Sequence, residues 1–206
     1  MPERLFYELD VEKRQRIVNA GLSEFAKQGF NEASTNSIVK IAGISKGSLF
    51  KYFSNKEDLY FFILDFIIAD LIEDMKDQIP KLKGDIFEII LLYAEIEFNW
   101  YVKNPDKYKL LKRAFINDNS TMYEKTVERY KLSGDSFYDT LLEGASADGF
   151  REDKEKTVNI LKWILEGFNE EYIKKIESHS DINNIKQIYV RELKEYLQIL
   201  KAGIYI

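Results

Sequence analysis

The stretch from Ser34 to Leu59, STNSIVKIAGISKGSLFKYFSNKEDL, decides how the chain is read. Ser34 or Thr35 can cap a short helix running through Ala42, because a side-chain oxygen there accepts from an otherwise unpaired first-turn amide. Gly43 then supplies the turn, and Ser45 caps a second short helix through Phe53. Asn55, with Asp58 three residues on, opens a long helix to about Ile79 that Pro80 and Gly84 close. Leu49 and Phe53 stand at i and i+4, so they pin the second short helix inward. Two short helices, a glycine turn and an inward pin are the layout of a DNA-reading helix-turn-helix. Lys46, Gly47, Phe50 and Lys51 are left outward, and the chemistry suits a major groove. Lys46 can donate to guanine or phosphate, Gly47 lets backbone approach base edges, and the Ser48 hydroxyl can serve either kind of edge. Ser34 and Thr35, at the amide end of the first short helix, can clamp a phosphate.

Charge supports this placement. Residues 1–56 carry nine Lys/Arg against six Asp/Glu, a balance of +3, whereas residues 57–206 carry 21 against 29, a balance of −8. From Ala33 to Lys56 there are four Lys and no acid. A short basic face on an acidic body suits a protein that meets phosphates over one small area.

The rest of the chain reads as helix. Three Pro and ten Gly interrupt 206 residues dense in Leu, Ile, Glu and Lys at helical spacing, with no alternating strand pattern. Ahead of the quoted stretch, Val11 to Gln28 places Ile17, Ala20, Gly21 and Phe25 on one stripe and stops at Gly29. After it, helices are expected at roughly 85–103, 105–116, 120–143, 153–177 and 183–201, about nine in all, with a loop over Gly144 to Asp153. The fold class expected is all-α, with a three-helix DNA-binding domain over residues 1–54 and a helical bundle over 55–206.

Several function classes are disfavoured. There is no Cys and a single His179, so thiolate chemistry is excluded and little remains for a zinc or Ser/His site. No Glu-x-x-His pair stands on any helix, so no metal, cofactor or enzyme is expected. The charged start MPERLFYELDVEKRQR has no apolar signal core, which points to the cytoplasm. The longest apolar run, Leu59 to Ile72, is 14 residues and holds Asp65 and Asp70, too short and charged to cross a bilayer.

Ile17, Ala20 and Phe25, then Gly29-Phe30, Ile38-Val39-Lys40, Ala42 to Phe50, Tyr52-Phe53 and Asn55 to Leu59 together resemble the DNA-binding domain of TetR-family repressors. The resemblance covers about residues 11–60, and beyond it only the layout is similar. It implies that Thr35, Lys46, Gly47, Ser48, Phe50, Tyr52 and Lys56 stand where the family meets DNA. Two departures are visible. Phe50 replaces the usual Tyr and loses a hydroxyl, which the adjacent Lys51 can replace. Ile41 occupies a position often polar in the family, which suggests extra packing beneath the DNA-reading unit.

The resemblance further implies a homodimer joined through the last two long helices, and a small, hydrophobic or aromatic effector held in the larger domain that loosens a palindromic operator. A DNA-binding activator, or a regulator without ligand, is the alternative. In the helix near 153–177, polar Glu155, Asn159, Lys162, Glu166 and Asn169 share one stripe, leaving apolar residues over most of the circumference. Such a helix needs two partners, and a subunit interface at Trp163, Ile164 and Gly167 is one option; deep burial inside one domain is the other. In the helix near 85–103, Glu97 projects opposite Glu88, Glu95 and Asn99, amid apolar residues, and is expected to be buried. It would serve either a ligand, in a pocket with Tyr93, Trp100, Tyr101, Tyr123 and Phe168, or a salt bridge to another helix.

Overall fold

A computed structural model describes residues 2–115, 120–131, 145–146, 153–178 and 182–204. In chain order these form α1 (Arg4–Tyr7), α2 (Val11–Glu32), α3 (Thr35–Ala42), α4 (Lys46–Tyr52), α5 (Lys56–Met75), a 3-10 turn (Ile79–Lys81), β1 (Gly84–Asp85), α6 (Ile86–Lys103), α7 (Pro105–Phe115), α8 (Thr121–Tyr130), β2 (Ala145–Ser146), α9 (Lys154–Ser178) and α10 (Ile182–Ile204). The all-α reading holds. Among the described residues the exception is a parallel pairing of two residues each, Gly84 with Ala145 and Asp85 with Ser146, where no strand was expected. Among the described residues, α1 is a helix that was not among the nine expected. The expected helix over 120–143 is described to Tyr130; its remainder, and most of the loop from Gly144 to Asp153, lie outside the described residues. No helix among the described residues is long and apolar enough to cross a membrane.

By packing, the chain divides into two units, residues 1–74 with 104–131 and residues 75–103 with 132–206. Thus α7, α8 and nearly all of α5, assigned from sequence to the larger domain, pack with the helices of residues 1–54. In this first unit Ile17, Ala20 and Phe25 of α2, Ile38 and Ala42 of α3, and Leu59, Ile63, Leu64 and Ile67 of α5 are buried. Leu110 and Ala114 of α7 are buried too, and α2 packs against both α3 and α7.

Local chemistry sets the boundaries. Gly29 interrupts α2 as expected, with φ 73° and ψ 175°, but the chain regains a last helical turn to Glu32. Gly43 takes the left-handed conformation after α3 at φ 67°, which a side chain would resist. Asn55 Oδ1 accepts the Asp58 amide at 2.8 Å, capping α5. That helix ends at Met75, earlier than Ile79, and the following turn carries Pro80 near its start.

The second unit has its own core. Ile90 and Ala94 of α6, Leu161 and Leu165 of α9, and Leu193 and Leu197 of α10 share one buried cluster. Tyr189 stacks on Phe98 at 4.4 Å and meets Phe168 and Tyr172, each at 5.2 Å. The Tyr172 hydroxyl donates to the Glu192 carboxylate; burial, then this bond, pushes the phenol far above its usual range.

Two expectations for this unit are corrected. The polar stripe of α9 does not face outward as one set: Glu155 and Glu166 are exposed, but Lys162 and Asn169 are buried beside Leu161 and Leu165. Asn169 is tolerated inside because its amide is satisfied, accepting from the Tyr189 hydroxyl at 2.6 Å and donating to Glu97 at 3.1 Å. Glu97 itself is half-buried rather than buried. Partial exposure of the residue lowers the cost that full burial of a carboxylate would impose.

Candidate nucleic-acid interface

Two serine caps set the starts of the two short helices of the first unit. Ser34 Oγ accepts the Ser37 amide at 3.4 Å, and Ser45 Oγ accepts the Ser48 amide at 3.0 Å, so α3 and α4 each begin at a side-chain cap. Leu49 and Phe53 are fully buried, as the inward pin requires. With that face held, Lys46, Gly47 and Lys51 are exposed and Phe50 retains 40% of its surface. A Cβ added at Gly47 would meet only Ser45 Oγ, at 3.9 Å, so the helix start has open space beside it. Lys40 is exposed on α3 as well.

The remaining expected contacts are placed differently. The Ser48 hydroxyl is 2.8 Å from that of Ser45, and the residue is half-buried, so part of its bonding capacity is spent within the protein. Tyr52 is only 9% exposed, with its ring 6.2 Å from Phe6 and its carbonyl accepting the Glu3 amide at 2.8 Å. It supports α4 rather than projecting from it. Lys56 also turns inward, because its Nζ donates to the Asn31 and Ala33 carbonyls at 3.2 and 3.1 Å and lies 4.6 Å from the Phe30 ring centre. These carbonyls close α2, where a cation is favoured. Ile41 is 59% exposed, so the extra packing expected beneath the DNA-reading unit is not there; Ile38 and Ala42 fill that role from the other side of α3.

Glu24 was not singled out from the sequence. Its carboxylate accepts the Ser34 amide and the Ser37 hydroxyl, both at 2.8 Å, and thereby fixes the start of α3 from α2. The amide end of α3 is thus already partly neutralised by the Glu24 carboxylate. The only hint in the sequence was an acid ten residues ahead of a capping serine, a separation that no helical period encodes.

The expected effector residues do not fall together. Tyr93, Trp100 and Tyr101 are buried on α6, Glu97 and Phe168 are half-buried, and these five belong to the second unit. Tyr123 belongs to the first unit, where it lines a cleft of its own. Of the expected dimer residues, Trp163 is 67% exposed, Gly167 is exposed and Ile164 is half-buried. Ile160 on α9 and Tyr196 and Ile199 on α10 are further exposed apolar side chains of the same unit. Among the described residues no cluster of His, Cys, Asp or Glu could hold a metal ion.

Comparison with known proteins agrees with this architecture. Residues 17–61 match the model of bacterial regulatory proteins of the tetR family, and residues 84–205 match the tetracyclin repressor-like C-terminal domain. A curated relative, the uncharacterized HTH-type transcriptional regulator YdgC of Bacillus subtilis, is 29% identical over 126 residues, covering 56% of this chain and 60% of YdgC. A TetR family transcriptional regulator from Chloroflexus aurantiacus superposes with a TM-score of 0.78 at 22% identity, covering 100% of this chain and 99% of that one. The FadR regulator of Bacillus subtilis, solved in complex with stearoyl-CoA, superposes at 0.60 with 17% identity, covering 87% of this chain and 97% of that one. With the C-terminal model alone matching more than half of its length, the chain belongs to the TetR family of bacterial regulatory proteins, which are helix-turn-helix transcription regulators and not enzymes.

Proposed function

We propose that the protein is a homodimeric transcriptional repressor that holds a palindromic operator through α4 and releases it when a small hydrophobic or aromatic effector binds. The observation that carries the DNA part is the exposed set Lys46, Gly47, Phe50 and Lys51 around the buried pin of Leu49 and Phe53. Two such helices, one per subunit, would enter successive major grooves about 34–36 Å apart. Residues 1–54 then serve as the reading head and 55–206 as the effector and dimer domain. The cytoplasm, where operator DNA is met, is the compartment this reading implies.

For the effector, the supporting feature is the polar group of Glu97, Asn169 and Tyr189 set among Phe98, Phe168 and Tyr172. Such a setting offers an apolar wall with a few convergent polar atoms. The similar FadR was solved with stearoyl-CoA, whose acyl chain is hydrophobic, and this supports an effector with an apolar part. For dimerisation, Ile160, Trp163 and Gly167 on α9 recur at helical spacing, as do Tyr196 and Ile199 on α10.

The test is a gel shift on DNA from upstream of the protein's own gene, at two salt concentrations. Lys46→Ala is expected to weaken binding by about 1–3 kcal/mol if Lys46 reads a guanine and to relax specificity at one base pair. If it binds phosphate instead, the loss is uniform across sequences and the salt slope falls by about one. Unchanged binding by Lys46→Ala and Lys51→Ala together would remove α4 from the interface. Addition of hydrophobic compounds that leaves every complex intact would favour a regulator without ligand.

A further inference from the structure

The cleft that contains Tyr123 lies wholly within the first unit and is separate from the group around Glu97. Its volume is about 380 Å³, inside the range of roughly 300–1,000 Å³ common for small-molecule sites. Phe30 and Tyr60, edge to face at 5.2 Å, and Leu110, Met122 and Tyr123 give it an aromatic and apolar lining. Arg113 brings an exposed guanidinium to the same cleft, where its Nη2 donates to the Lys27 carbonyl at 3.4 Å. Ser120 also lines it, at the start of the ten-residue α8, so the positive end of that helix adds to the Arg113 charge. Among the described residues the acid in the lining is Glu32, which is exposed.

We propose that this cleft is an effector site for a planar aromatic anion, its rings against the aromatic lining and its charge at Arg113. The proposal rests on the ligand-released reading above and assigns the ligand to a different place from the Glu97 group. Its route to DNA is short. The lining runs through Gly29, Phe30, Asn31 and Glu32, the last turn of α2. Lys56 ties that turn to α5 through the Asn31 and Ala33 carbonyls, and the next residue, Ser34, caps α3. A ring wedged into the cleft therefore displaces the turn that sets the start of the helix-turn-helix, and by linkage operator DNA and ligand weaken each other by one factor.

The probe pair is 8-anilinonaphthalene-1-sulfonate and its uncharged analogue N-phenyl-1-naphthylamine, titrated by fluorescence into the full-length protein without DNA. Arg113→Gln is expected to weaken the sulfonate about tenfold, the loss of one charge-assisted contact, and to leave the neutral probe unchanged. Glu32→Gln is expected to tighten the sulfonate, and Tyr123→Leu to weaken both probes. Arg113 is exposed, so its variant should melt like the wild type; a shared loss of both probes, or no change in either, overturns the proposal. Operator binding is measured separately in the absence of probe. Its loss would sink the regulator reading while leaving the cleft standing, and equal sulfonate binding by wild type and Arg113→Gln would do the reverse.

Discussion

Lys56 shows how one side chain changes role between sequence and structure. Its place after the helix-turn-helix makes it a DNA contact by resemblance, yet its ammonium is engaged by two carbonyls at the end of α2 and by the Phe30 ring. Hydrogen bonds to charged groups contribute about 1.5–3 kcal/mol when partly buried, so Lys56→Met is expected to lower the melting temperature by several degrees. A structural tie and a phosphate contact part ways in the salt dependence. The variant should bind DNA with an unchanged salt slope, whereas a slope reduced by about one would restore the phosphate role. Tyr130 illustrates the same recruitment by a distant group. Burial, then its bond to Asp65 at 2.8 Å, raises its phenol well above the usual value, so it stays neutral when exposed tyrosines ionise.

At the scale of elements, α1 is the α-helix among the described residues that the sequence reading missed. Four residues are too few for a periodic signal, and the charged context hides the single residue that matters. Phe6 is buried, with ring centres 5.0 Å from Phe53 and 5.2 Å from Phe62, while the Glu3 amide bonds the Tyr52 carbonyl. Together these hold the C-terminal end of α4. Phe6→Ala is expected to cost about 3–5 kcal/mol, the usual range for a buried Phe, read by chemical denaturation. Because its neighbours include the α4 pin, DNA affinity should fall at temperatures where the variant is still folded. Normal affinity in the folded variant would mean that α1 only stabilises. The boundaries of α3 and α4, by contrast, were legible beforehand, since Ser34, Gly43 and Ser45 act within a turn of the helices they delimit.

For the whole molecule, the exposed apolar side chains of α9 and α10 call for a covering surface. Trp163 and Ile199 keep 67% and 70% of their surface in the single chain, which is costly in water and expected of a subunit interface. Trp163→Lys with Ile199→Glu is expected to shift the protein from dimer to monomer in sedimentation velocity. Operator affinity should drop with it, because each half-site then binds alone. A double variant that sediments as the wild type would move the interface elsewhere. The division into packing units adds a second point at this scale. With α7 and α8 in the same packing unit and α7 against α2, residues 1–54 do not pack alone, and a ligand near α7 would bear on α2 directly.

What the sequence determined by itself was the helical class, the reading head and its outward residues. Caps, a left-handed glycine and an i, i+4 pin work through atoms only a few residues apart, so their order along the chain is enough to specify them. Tertiary structure alone decided which polar residues would be drawn inward. Glu24 was claimed by Ser34 and Ser37, Lys56 by carbonyls more than twenty residues away, and Asn169 by Tyr189 and Glu97. Those pairings depend on which helices meet and at what height, and a buried polar group must find its partner wherever packing happens to place one.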